Sequence, residues 1–198
     1  MSEPRPEEAL AHITRELRRL GQPFALVGGL AVSVRGEVRT TRDVDLAVAV
    51  RSDRELETLV SDLAATGYRA VASVEQEERG RLATVRLGSP LGFIVDLLAA
   101  SSGIESEAVA AATAVEFDGV GPVPVATAED LLAMKLLSAR VGRARDWDDA
   151  RGLLETNPGL DLGMVRARLG LIESRGYARK QDLLAKLQTL LDDARPLS

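Results

Sequence analysis

Residues 27–46 read Val27-Gly28-Gly29-Leu30-Ala31-Val32-Ser33-Val34-Arg35-Gly36-Glu37-Val38-Arg39-Thr40-Thr41-Arg42-Asp43-Val44-Asp45-Leu46. The apolar Phe24-Ala25-Leu26-Val27 before it reads as a short buried strand or the end of a connection between helices. Gly28 and Gly29 carry no Cβ, so their amides can approach a ligand closely. Leu30–Val34 reads as a helix, whose free N–H groups and positive dipole end suit a phosphate. A glycine pair before a helix serves equally as a tight turn for close packing.

Asp43 and Asp45 are two apart, so on a strand both carboxylates project to one side while Val44 and Leu46 face the other. Two adjacent carboxylates repel, and a divalent cation removes that conflict. Mg²⁺ favours a few carboxylates completed by water and phosphate oxygens. Leu46–Val50 continues as an apolar strand, placing the acids at the start of a core strand. The plainer alternative is a chance acidic pair at a sheet edge.

A third acid, Asp96, interrupts the apolar run Ile94-Val95-Asp96-Leu97-Leu98. A lone carboxylate there is costly unless paired or metal-bound. Residues 81–87 read as a second strand, and Gly88-Ser89-Pro90-Leu91-Gly92 carries turn chemistry, so 81–98 is a hairpin. The hairpin sets Asp96 beside the Asp43/Asp45 strand. Three converging carboxylates are the minimum for a pair of metals roughly 3.5–4 Å apart. A salt bridge from Asp96 to an arginine is the alternative.

Downstream, Thr127 is a plausible N-cap with Asp130 three residues on. On the helix it opens, Leu131, Met134, Lys135 and Ser138 share adjoining faces. Only three of the 25 basic residues are lysines, so Lys135 on an apolar helix stands out. It is a compact charge suited to phosphate, or else a surface lysine whose stem lies along apolar neighbours. Asp146 and Asp149 share a helix face, flanked by Arg140, Arg143, Arg145 and Arg151. They serve as a functional carboxylate pair or as the solvated start of a helix. Arg39 and Arg42 beside the Asp-x-Asp meet phosphate or merely pair with the acids.

Composition narrows the classes. The chain lacks cysteine and has one histidine, His12, expected at the surface of an N-terminal amphipathic helix. Thiol chemistry and Cys/His zinc sites are excluded. A net charge of −5 and 3% aromatic residues argue against a broad cationic surface or a base-stacking platform. Any RNA contact has to use a local arginine patch. The first residues lack an apolar signal core and no long apolar run follows, so the expectation is a cytoplasmic protein with no membrane contact.

Helices are expected at 6–20, 53–66 and 101–114, with strands at 68–74, 81–98 and 123–126. Further helices are expected at about 128–141, 146–154, 161–169 and 177–193. The fold class is α+β: a core over 1–125 with a small mixed β-sheet and flanking helices, then a C-terminal helical bundle over 126–198.

These motifs taken together are similar to the nucleotidyltransferases of the DNA polymerase β superfamily. The matching residues are Gly28-Gly29, Arg39-x-Thr41-x-Asp43-x-Asp45-Leu46 and Val95-Asp96-Leu97-Leu98. The segments 126–136 and 143–150 resemble the AbiEii-type toxins of type IV toxin–antitoxin systems. Many superfamily members carry Gly-Ser where this chain has Gly28-Gly29, so no hydroxyl is offered at position 29. The resemblance implies a nucleotidyltransferase core and Mg²⁺, with Mn²⁺ an alternative, held by Asp43, Asp45 and Asp96. It implies a nucleoside triphosphate (NTP) contacted by Gly28, Gly29, Arg39, Thr41 and Lys135. Asp96 acts as or orients the base, and Asp146 fixes Lys135 or the acceptor. A toxin acting on tRNA and a cognate antitoxin follow from the same likeness. The alternatives are a transferase acting on a small molecule such as an antibiotic, and a non-catalytic nucleotide-binding partner protein.

Overall fold

The computed structural model describes residues 6–37, 41, 43–76, 78–140 and 142–194. In chain order its elements are α1 (Pro6–Arg19), β1 (Phe24–Val27), α2 (Gly28–Arg35), β2 (Val44–Val48), α3 (Asp53–Ala64), β3 (Arg69–Gln76), β4 (Arg81–Gly88) and β5 (Ile94–Leu98). Then come α4 (Glu105–Ala111), β6 (Thr113–Phe117), β7 (Gly121–Val125), α5 (Ala128–Ser138), α6 (Ala144–Thr156), α7 (Leu162–Ser174) and α8 (Leu183–Asp193). The strands form one mixed sheet in the order β3-β4-β5-β2-β1-β7-β6.

The apolar 24–27 segment is a strand, buried at all four positions and antiparallel to β2. It enters α2 without a loop. Gly28 makes that corner with φ of +63°, a conformation open to glycine and strained for residues with a Cβ. β2 is central because β1 pairs on one side and β5, in parallel, on the other. Its valine and leucine positions are buried, as a strand covered on both faces requires.

Residues 81–98 form the expected hairpin. The sheet is wider than expected because residues 113–117 form a strand. The alanine-rich stretch 101–114 gives a helix only over 105–111. Beyond it, Thr113, Val115 and Phe117 alternate and pair with β7 in an edge hairpin, where β-branched and aromatic residues outweigh alanine's helical preference. β3 runs on to Gln76, two residues beyond the strand expected at 68–74. The last helices are also shifted: α7 is longer than its pattern suggested, and α8 starts at Leu183, capped by Asp182.

One apolar cluster joins the sheet to the later helices, with Leu26, Leu46, Leu97 and Val125 packed together with Leu131, Leu136, Leu153, Leu169 and Leu187. Each such leucine contributes roughly 1.5–3 kcal/mol by leaving water. His12 is half-buried, its Nδ1 2.9 Å from the Tyr68 hydroxyl. Among the described residues no helix is long and apolar enough to cross a membrane.

Candidate active site

Cross-strand register builds the acidic side of the site. Asp45 on β2 lies beside Asp96 on the parallel β5, and Asp96 lies opposite Arg86 on β4. Arg86, Asp96 and Asp45 therefore form a row across three strands. Asp43, just before β2, joins them in lining a cleft of about 840 Å³.

The start of α2 sets the Asp45 carboxylate. The Gly29 N–H donates to Asp45 Oδ2 at 3.4 Å. A Cβ on Gly28 would fall 2.0 Å from that same oxygen. The bare backbone at 28 is what lets the carboxylate lie against the helix start. Burial, and next the charge of Asp96, push the Asp45 carboxyl up to about 6. The Gly29 N–H and the charge of Lys135 pull the other way, and Asp43 adds a small upward push.

Asp96 is buried, with Arg86 as its partner. The guanidinium donates from Nε to Oδ1 at 2.9 Å and from Nη2 to Oδ2 at 2.7 Å. These bonds and the charge of Asp96 hold Arg86 above its ordinary pKa. Of the two expectations for this acid, the structure shows the salt bridge to an arginine, with the pair set in the cleft beside Asp45.

The helical part supplies the basic side. α5 is fixed at both ends. Thr127 Oγ1 accepts from the Asp130 N–H at 3.2 Å, and the fully buried Asp130 accepts from Arg168 of α7 at 2.5 Å. At the other end Lys186 of α8 donates to the Leu136 and Ala139 carbonyls. Held this way, α5 points Lys135 into the cleft. Its Nζ lies 2.8 Å from Asp146 Oδ1 and 2.7 Å from Asp149 Oδ2. The lysine is enclosed by α6 and does not run along the surface. Asp146 was expected near Lys135; Asp149 is the partner the residue pattern left undistinguished, although its i+3 spacing put it on the same face.

Gly28, Gly29, Thr41, Asp43, Asp45, Asp96, Lys135 and Asp146 all line the one cleft. Arg39 lies outside the described residues, as does Arg42. Two further contributors had no sequence signal strong enough to single them out. Arg86 emerges only from the hairpin register. Arg179 emerges from the α7–α8 connection, where Arg179 and Lys180 both take left-handed backbone, at φ of 54° and 59°. Arg179 donates to the Ser101 carbonyl at 2.9 Å and reaches the cleft beside Arg140, Arg143 and Arg145. Burial, and then the charges of Arg140 and Arg143, hold its guanidinium below its ordinary pKa.

The donor chemistry suits a divalent cation at Asp43 and Asp45: two carboxylates side by side, one with its pKa raised by burial and by a like charge. Among the described residues no three acidic or histidine groups are gathered closely enough to enclose an ion.

The family model of the nucleotidyl transferase AbiEii toxin, of type IV toxin–antitoxin systems, matches residues 9–196. No protein with curated annotation is similar enough in sequence to match. Among solved structures, the antibiotic-resistance factor ANT(2'')-Ia superposes with a TM-score of 0.57 at 16% identity, covering 94% of this chain and 97% of its own. An antigenic nucleotidyltransferase-like protein from Paracoccidioides brasiliensis gives 0.53 at 19% identity, covering 92% of each chain. The lincomycin-bound lincosamide antibiotic adenylyltransferase LnuA gives 0.52 at 14% identity, covering 76% of this chain and 97% of its own. At these identities the likeness is one of fold.

Proposed function

The chain belongs to the AbiEii family of type IV toxin–antitoxin systems and is a nucleotidyltransferase; on that premise we propose that it is a Mg²⁺-dependent toxin that transfers a nucleoside monophosphate from an NTP to a hydroxyl of tRNA. The observation that carries the reading is the single cleft in which the acids of β2 and β5, the Gly28-Gly29 helix start and Lys135 meet. Asp43 and Asp45 would hold the cation. When bound, the cation supplies charge neutralisation at the reacting phosphates.

The chain's own residues position the reactants. The N–H groups at the start of α2 offer donors to phosphate oxygens. Lys135, oriented by Asp146 and Asp149, supplies a fixed positive charge against the leaving pyrophosphate. Asp96 would receive or orient the proton of the acceptor hydroxyl once Arg86 gives up one of its oxygens. The acceptor hydroxyl's oxygen would form the bond to the α-phosphorus as the α–β anhydride bond breaks and pyrophosphate leaves. Much of the rate gain would come from holding these groups in line.

Arg140, Arg143, Arg145 and Arg179 support a polyanionic acceptor. On a chain with net charge −5, four guanidiniums along one cleft are a local concentration of cations, and Arg140 and Arg143 stand close enough to Arg179 to disfavour its charge. Phosphates relieve that repulsion, whereas a polycationic antibiotic would aggravate it. Both reactants, NTP and tRNA, place the reaction in the cytoplasm, and the family assignment carries with it a cognate antitoxin.

The test is label transfer from each α-labelled NTP to total tRNA with Mg²⁺, beside an Asp43→Ala/Asp45→Ala variant. Label on tRNA from the wild type alone is the expected result and names the nucleotide. Label that appears only when small-molecule hydroxyl acceptors replace RNA would overturn the tRNA assignment and favour an antibiotic-type acceptor.

A further inference from the structure

The acids of the cleft are unequally free. Asp45 faces the helix start with a single long hydrogen bond from the protein backbone. Asp96, its neighbour in register, has both oxygens taken by the fork of Arg86. A two-pronged guanidinium neutralises a carboxylate and occupies its best lone pairs. The pairing is built into the sheet, because Arg86 and Asp96 are direct cross-strand partners in the β4–β5 hairpin. No three carboxylates are gathered into one cation site among the described residues. The arginine side chain is about half exposed, at 47%, against 11% for the aspartate. Both partners line the cleft, and the arginine is the more exposed of the two.

We propose that Arg86 is a positioning residue that withholds Asp96 from the cation site, so that the nucleotide-free protein offers a divalent ion only Asp43 and Asp45. This rests on the reading of Asp43 and Asp45 as the cation ligands. A guanidinium also exchanges a carboxylate for a phosphate readily, which makes the pair suited to open when a phosphate-bearing reactant enters the cleft.

Mn²⁺ binding to the full chain without nucleotide, followed by the loss of the free-ion paramagnetic resonance signal, tests the proposal apart from activity. Arg86→Gln frees Asp96, and Mn²⁺ should then bind roughly tenfold more tightly, the scale on which an added carboxylate and its outer partner tune a metal site. Arg86→Lys keeps the charge without the fork and should give a smaller gain in the same direction. It also carries the test if the glutamine variant does not fold. Arg86→Gln/Asp96→Asn should return to the wild-type affinity. Unchanged or weaker Mn²⁺ binding in a folded Arg86 variant overturns the latch, as does a gain that survives Asp96→Asn. If Asp43→Ala/Asp45→Ala leaves wild-type Mn²⁺ binding intact, the ligand reading fails and the latch with it.

Discussion

Two ionic clusters face the same cleft and are built on opposite principles. On the helical side, Lys135 lies between Asp146 and Asp149, each within 2.8 Å. On the sheet side, Arg86 is committed to Asp96, and among the described residues no basic side chain forms an ion pair with Asp43 or Asp45. The first cluster is satisfied within the protein. The second is left needing charge, which the raised pKa of Asp45 registers. Removing a charge should therefore have opposite effects on stability in the two places. A satisfied buried pair holds the fold together, whereas a crowded acid row is strain that the fold tolerates for the sake of binding.

The sharpest way to break that contrast is Asp45→Asn. It removes a cation ligand while keeping the shape and an acceptor for the Gly29 N–H. Transfer activity should fall by roughly a thousandfold, the scale of losing a main electrostatic contributor, while the melting temperature at neutral pH rises. A variant that loses activity and melts lower would mean that Asp45 is structurally paired and the row is not strained.

Lys135→Met tests the other side. Losing the lysine strands two carboxylates, of which Asp149 is nearly inaccessible, with 5% side-chain exposure. Breaking a buried pair in this manner costs about 3 kcal/mol, which denaturant unfolding would read as a lower midpoint at an unchanged slope. A melt unchanged from wild type would mean that α6 holds its carboxylates without the lysine.

The sequence exposed these two clusters unequally. Asp43 and Asp45 are legible as a pair because a period of two at the head of an apolar strand puts both carboxylates on one side. Lys135 is legible because lysine is scarce in this chain, and Asp146 because it shares a helical face. Arg86 was not, since its role depends on the register of a hairpin whose strands alternate many similar residues. Arg179 was not, since a left-handed pair of non-glycine residues between helices leaves no pattern. The 113–117 strand was hidden behind alanines that favour helix locally, while its pairing with β7 is decided by the sheet. What a residue does along its own element could be read, and what it does across elements had to be seen.

Gly28→Ala disturbs the acid row without changing its charge. The new methyl collides with Asp45 Oδ2 and sits at φ of +63°, so both the corner into α2 and the carboxylate have to move. The expected cost is about 2 kcal/mol of stability, with transfer reduced alongside. Stability and activity should fall together, in contrast to Asp45→Asn, where they part. If Gly28→Ala matched the wild type in both, the corner would not be what places the carboxylate.

The mildest expectation is one of pH. The Asp45 carboxyl is raised from an ordinary value near 3.8 to about 6, so between those limits the folded protein holds a proton that the unfolded chain releases. Stability from this group is therefore present at low pH and declines as pH rises from about 4 to about 6. The other acids follow their own courses, so the quantity to plot is the wild-type melting temperature minus that of Asp45→Asn. That difference should become more negative across the window and level off above it. Mg²⁺ binds the ionised carboxylate, so adding it should flatten the decline for the wild type and leave Asp45→Asn little changed. A difference independent of pH would place Asp45 in water with an ordinary pKa. The contrast between a satisfied and an unsatisfied cluster would then rest on Lys135 alone.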